Sequence, residues 1–342
     1  MIHIEDDILR CYRNGILSRL LFDRTTRHHI LWATDAHAAL GSEYARNAEI
    51  RQELILGDRA GVIRTQAEKR REQQGGHGKR YGVESTPFSV CKKMNDILDE
   101  DWFGRKDVFF SEGDGGIYDS DAKPVLFPPQ KTWTQYVDSR RMEITCGEAP
   151  FLVSRYDAAT GKEIPLEERT GILDRKLYIV TEHAQNEAEW VFWAFRAFEA
   201  VYGYEFQGDR LLIARVNLIA TFEDYLWNLW YREPTKKEYE RLTRIVTWNL
   251  WQMDGLTGMI PYNRLPGVGH QMSLNEWMEE NNKGKTREES YTQGGNWWDE
   301  DDIEREKELQ PYCRIYDWRA NESREYSSLK YFATLKKENQ KG

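Results

Sequence analysis

The stretch Met142–Leu152, "MEITCGEAPFL", reads as a short apolar strand that runs into a tight turn and then a helix. Cys146, Gly147 and Ala149 are all small. Small residues where a strand gives way to a helix imply close approach to the backbone, by a nucleotide-like cofactor or by a neighbouring helix. In an open parallel sheet, ligands lie beyond the carboxyl ends of the strands, within reach of the next helix's amides. Two later acids repeat that position. Glu205 ends the short strand in "YGYEF", placed to accept the two hydroxyls of a ribose. Asp254 ends "NLWQMD", placed to accept from the amine of an adenine ring. A glycine turn, a Glu and an Asp at successive strand ends make an adenosyl-binding layout, whereas a lone acid there is commonly a cap.

The surrounding sequence alternates strands and helices. "RRMEITCG" reads as a strand. "EAEWVFWAFRAFEAVYG" is an apolar helix with Trp190, Trp193, Ala197 and Val201 in register and Gly203 as a stop signal. "DRLLIARVNLIATFEDYLWNL" is a helix with Leu211, Leu218, Phe222 and Tyr225 along one face. Thr235 and Glu238 form a capping box, and "RIVTWNLWQMDGL" reads as a buried strand. This alternation predicts an α/β domain with a mainly parallel sheet.

Upstream, residues 1–63 form a helical N-terminal region. Helical spacing runs from Ile8 to Leu21, and Thr34 or Asp35 can cap a second helix. Residues 64–80 hold six Lys/Arg against two Glu, with Gly75, Gly76 and Gly78 to break a helix. They read as a basic linker, either a solvated charge run or a phosphate-contacting segment through Lys69, Arg70, Arg71, Lys79 and Arg80. The α/β domain then occupies 81–342. Ser85 or Thr86 caps its first helix, with Pro87 at the first position and Val90, Met94, Ile97 and Leu98 on one side. "SEGDGGIYDSDAKPVLFPP" is a turn or hairpin. Residues 273–309 form an acidic surface insertion, with twelve Asp/Glu against five Lys/Arg from Glu276 to Glu308. "CRIYDWR" resumes a strand pattern, and "SREYSSLKYFATLKKE" is a closing helix.

Composition sets outer bounds. The 342 residues are 40% hydrophobic and 13% aromatic, enough for a sizeable core, and the net charge of −9 excludes a wholly basic nucleic-acid binder. No apolar run reaches the ~20 residues of a membrane span. The N-terminus lacks a basic export signal, and four scattered cysteines without a CxxC suit a reducing cytoplasm. The seven histidines show no HExxH spacing, and no metal site is predicted.

Over roughly residues 30 to 320 the chain resembles the bacterial family of restriction-endonuclease M subunits, relatives of the amino-methylating DNA adenine methyltransferases. The stretches that carry the resemblance are "STPFSVCKKMNDILDEDWFGRKDVF", "YVDSRRMEITCGEAPFLVSRYD", "GILDRKL", "YGYEFQGDRLLIARVNL" and "WNLWQMDGL". It implies a Rossmann-like methyltransferase sheet, S-adenosylmethionine as cofactor, DNA as substrate, and other restriction or phage-defence subunits as partners. Thr86 and Pro87 match a "TP" segment that packs over the cofactor. Glu143, Cys146, Gly147 and Ala149 match the motif D-P-x-C-G-x-G, with Glu for Asp and Ala for the last Gly. Glu205 matches the ribose-binding acid, and Asp254 the adenine-contacting acid.

The family's catalytic signature, Asn/Asp/Ser-Pro-Pro-Tyr/Phe, is absent from the chain. "YDWRA" stands in its place, so Asp317 is the candidate acceptor for the adenine amine and Trp318 the candidate stacking face. The chain also ends soon after that strand, which leaves the expected sheet incomplete. Three readings compete. One is a DNA adenine methyltransferase or methyltransferase-like subunit. Another is a catalytically silent module that binds DNA or serves as a scaffold. The third is a nuclease, in which Asp138 and Glu143 resemble a D…E-x-K metal site whose lysine is replaced by Thr145.

Overall fold

Nearly every residue from Leu211 to Phe222 is apolar or small, so a helix there has no natural solvent face and must pass through the core. The computed structural model, which describes residues 2–74, 85–109, 124–263 and 312–326, builds the protein around that helix. In chain order the helices are α1 (Ile4–Arg13), α2 (Leu17–Leu21), α3 (Gln66–Gln74), α4 (Phe88–Phe103) and α5 (Trp133–Val137). They continue with α6 (Ile172–His183), α7 (Glu187–Glu199), α8 (Gly208–Trp230) and α9 (Lys236–Asn249). The strands are β1 (Arg141–Glu143), β2 (Val201–Glu205), β3 (Leu250–Gln252), β4 (Arg314–Asp317) and β5 (Glu322–Glu325).

The fold is mixed α/β. The first three strands form a parallel sheet in the order β1-β2-β3, and β4 and β5 form a separate antiparallel hairpin. All five residues of β2 are buried, as a central parallel strand requires. Gly203 belongs to this strand and is not a helix stop. A Cβ there would stand 2.9 Å from Leu250 Cδ2 and 3.2 Å from Cys146 Sγ. The hairpin covers the aromatic face of the sheet, where Tyr202, Tyr204 and Trp251 pack with Cys313, Trp318 and Tyr326. No helix among the described residues is long and apolar enough to cross a membrane.

Several local expectations give way to tertiary interactions. The N-terminal region is α-helical only in α1 and α2, with short 3-10 turns at Ala38–Leu40, Ser42–Tyr44, Gln52–Leu54 and Gly57–Arg59. Beyond them Trp32, Ala33 and Ile50 join a loop framework through backbone bonds to Ala48, Arg46 and Ile30. There Asp35 pairs with Arg46 instead of capping a helix. The basic segment 64–80 is helical from Gln66 to Gln74, capped by Thr65, whose hydroxyl accepts from the Glu68 amide. In α4, Pro87 is the N-cap and neither Ser85 nor Thr86 caps. Its predicted apolar side, Val90, Met94, Ile97 and Leu98, faces outward, while Cys91, Asn95, Asp99 and Phe103 are buried. Buried Arg175 causes the inversion, since its guanidinium bonds Asp96 and Asp99 (both 2.6 Å). The predicted strand "RIVTWNLWQMDGL" is helical through Asn249, because α9 starts at the Thr235–Glu238 capping box and runs on. The expected closing helix is strand where it is described, since Ser323–Glu325 belong to β5, and its residues beyond 326, the segment 111–123 and the acidic insertion 273–309 lie outside the described residues.

Arg215, wholly buried on α8, ties these elements together. Its guanidinium donates to the carbonyls of Leu20 (2.6 Å), Phe22 (2.9 Å) and Leu250 (2.6 and 3.0 Å). Replacing Arg215 with Met orphans all three carbonyls, each worth about 1–3 kcal/mol when buried. Arg215→Met is therefore expected to lower unfolding free energy by about 3 kcal/mol or more in urea titration. A variant as stable as wild type contradicts this role.

Candidate functional site

The three parallel strand ends converge. The Cys146 amide donates to the Tyr204 carbonyl (2.8 Å), and the Met253 amide donates to the Glu205 carbonyl (3.1 Å). The Gly147 amide donates to Glu205 Oε2 (2.8 Å). Glu205 Oε1 accepts from the amides of Phe206 (2.9 Å) and Gln207 (3.0 Å). One buried carboxylate thus joins the turn after β1 to the start of α8.

The small residues of that turn have separate causes. Cys146 packs against Gly203 of the neighbouring strand, where its Cβ and Sγ would each lie 3.2 Å from an added Cβ. Gly147 has φ +55°, and a Cβ there would meet nothing within 4 Å, so the space above it is open. Thr145 (φ 48°) and Ala149 (φ 64°) also take left-handed conformations, which are strained for residues with a side chain. Ala149 stands where the resembled motif has its last glycine, and its positive φ is the conformation that glycine adopts freely.

No helix follows β1 directly, contrary to the strand–turn–helix expectation. The chain passes through turns until α6. The amides of Phe151 and Leu152, which a helix would aim at a ligand, donate instead to Glu143 (3.4 and 3.1 Å). Burial pushes the Glu143 carboxyl well above the usual range. Asp254 Oδ1 accepts from Leu256 (2.8 Å) and Thr257 (3.3 Å), holding its own turn, and Oδ2 makes no hydrogen bond among the described residues. Thr86 and Pro87 lie at the start of α4. The Thr86 carbonyl faces the Cys91 thiol (3.9 Å), which burial and then the Glu143 charge push up to about 12. The helix meets β1 further along, where Arg141 Nη2 donates to the Leu98 carbonyl (3.3 Å).

Asp317 and Trp318 are not at this end of the sheet. Asp317 pairs with Arg140 (3.4 Å), just before β1, and Trp318 Nε1 donates to Asn249 (2.7 Å), just before β3. The length of β2, about 13 Å from Val201 to Glu205, separates them from the glycine turn. Their expected place beside a methyl donor at Gly147 is thus corrected: β4 pairs with β5 and not with the parallel sheet. The nuclease pair is split in the same way. Asp138 binds Arg196 (2.5 Å) and Arg319 (2.8 Å) before β1, and Glu143 ends that strand. Among the described residues no group of three or more His, Cys, Asp or Glu could hold a metal ion.

Of the candidate DNA-binding residues, Lys69 pairs with buried Asp209 (2.8 Å), and Arg71 donates to the Thr160 carbonyl (3.0 Å). Arg70 lies on the same helix, and Lys79 and Arg80 fall outside the described residues. The sequence reading missed Asp209, which also meets His37 Nε2 (3.2 Å). Burial acts to raise its carboxyl, but His37 and Lys69 together hold it well below the usual range. An acid in the first turn of α8, directly after the glycine in "EFQGD", was the available signal.

Glu143 gives a pH test. Its folded-state value lies above its unfolded one, so the stability of the protonated form is full below the unfolded value and lost as pH rises through the folded one. Thermal melts of wild type and Glu143→Gln should therefore diverge in favour of the variant as pH rises through that window. A gap independent of pH contradicts a buried, proton-holding Glu143.

No family model, no curated protein and no solved structure matches this chain.

Proposed function

We propose that the ends of β1, β2 and β3 bind S-adenosylmethionine, and that the chain is a methyltransferase-like subunit of a DNA adenine-modifying restriction or phage-defence assembly in the cytoplasm. The observation that carries this reading is Gly147, left-handed, open above, and hydrogen-bonded to the acid that ends the next strand. The residues suit the group. Glu205 Oε2 takes one bond from Gly147 and keeps a lone pair for a ribose hydroxyl. Asp254 Oδ2 is available to an adenine amine. Thr86 and Pro87 lead into α4, the helix whose Leu98 carbonyl accepts from Arg141 of β1. When bound, the cofactor supplies an electrophilic sulfonium methyl. The chain's own part is to bind and orient: Gly147 gives room, Glu205 fixes the ribose, and Asp254 selects the ring.

A second reading, a silent module that binds DNA or acts as a scaffold, is favoured by the position of Asp317 and Trp318 at the far end of the sheet. Binding and transfer separate the two. In calorimetric titration, Glu205→Gln should weaken S-adenosylmethionine binding by about 1–3 kcal/mol. Labelled-methyl transfer to DNA by wild type, with partner subunits added, supports the enzyme reading. In that assay Asp317→Ala should transfer like wild type. Binding without transfer supports the silent module, and no binding overturns both cofactor assignments.

A further inference from the structure

The C-terminal half of α8 lines a second recess. A cavity of about 380 Å³ opens between α1, α8 and α9, with Arg169 and Asp224 in its wall and Trp227 at its side. α8 rises about 1.5 Å per residue, so Trp227 stands about 27 Å along the helix from Asp209 and the strand-end site. The two sites are distinct.

The charges of this recess are mostly matched. Glu223 accepts from Arg10 Nε (2.8 Å) and from the Tyr239 hydroxyl (2.7 Å). Arg232 is held by Glu187 (2.5 Å) and by both oxygens of Glu238 (2.8 Å each). Asp224 faces Arg155 Nε (3.5 Å) and Arg169 Nη1 (2.8 Å). Arg169 shares in this charge pairing through Asp224 but is short of hydrogen bonds. It is 8% exposed, and among the described residues its guanidinium makes a single hydrogen bond, from Nε to the Ile164 carbonyl (3.3 Å). Nη1 approaches Asp224 at an angle that makes no hydrogen bond. A buried guanidinium with unused N–H groups calls for a further acceptor, and an anionic oxygen is the strongest one.

Trp227 supplies the complementary surface. It is 59% exposed although it lies one turn from Asp224 on the same face of α8. An exposed indole beside a recess offers a flat apolar face to a ring. We propose that this cavity binds a small anion that carries a planar ring, with its anionic oxygens on Arg169 and its ring against Trp227. A nucleoside monophosphate and an aromatic carboxylate share that chemistry.

The test is calorimetric titration of the full chain with adenosine monophosphate, benzoate and inorganic phosphate. At least one ring-bearing anion should bind about tenfold or more tightly than phosphate. Trp227→Ala should remove that advantage and leave phosphate binding unchanged. Arg169→Gln should weaken all three, with a thermal melt to show that it folds. If it does not fold, the Trp227→Ala comparison decides. Tighter binding of the nucleotide assigns the first source, and tighter binding of benzoate the second. Ring-bearing anions that bind no better than phosphate, or that bind Trp227→Ala as they bind wild type, overturn the proposal. S-adenosylmethionine binding at the strand ends is measured separately through Glu205→Gln, so failure of either site leaves the other standing.

Discussion

The guanidinium of Arg215 lies in the middle of α8 with no exposed surface, and every acceptor it uses is a backbone carbonyl. Burial lowers it to about 10, which still leaves it charged at neutral pH. A charge in that position needs its carbonyls held fixed, and those carbonyls belong to α2, the residue after α2, and the first residue of β3. The sheet's position relative to the central helix follows from this constraint. Two buried amides continue it. Gln252, at the end of β3, bonds the Leu31 backbone through both side-chain atoms (2.8 Å each) and also reaches Phe206. Asn249, just before β3, bonds the carbonyls of Phe198 and Val201 (2.9 Å each). The ends of β2 and β3 are therefore located by polar groups inside the core, and the apolar packing fills in around them.

The strand-end region uses the same economy. Glu143 and Glu205 are buried, Asp254 is half-buried, and most of their lone pairs already accept backbone amides. Glu205 holds the glycine turn in place, and Glu143 takes the amides that a helix would otherwise point outward. What stays open is limited to the space over Gly147, one lone pair on Glu205 Oε2, and Asp254 Oδ2. A ligand bound there meets a preformed turn, at the cost of few remaining donors for anionic groups. That pattern suits a neutral ribose and ring better than a phosphate chain.

Much of the fold was legible where a pattern is local. The helix α8, read from the apolar face of Leu211, Leu218, Phe222 and Tyr225, the helix before β2, the Thr235–Glu238 cap and the glycine-then-acid spacing on β1 and β2 all follow from neighbouring residues. The failures share a cause in distant polar partners. No periodicity in α4 announces Arg175, which turns Asp96 and Asp99 inward and exposes Val90, Met94, Ile97 and Leu98. β-branched and aromatic residues in "RIVTWN" favour a strand locally, yet the capping box behind them and the packing of Ile245, Val246 and Trp248 keep the helix going. Asp317 looked like a strand-end acid because a strand does end there. Only the sheet order, which no spacing encodes, shows that this strand pairs with β5 instead.

The central claim is that a cofactor sits over Gly147 between the three strand ends. Hydrogen–deuterium exchange of the full chain, with and without saturating S-adenosylmethionine, tests it most directly. The account predicts slowed exchange at residues 144–149 and 205–208, and none at 314–319. Unchanged exchange at Gly147, or protection confined to 314–319, contradicts it.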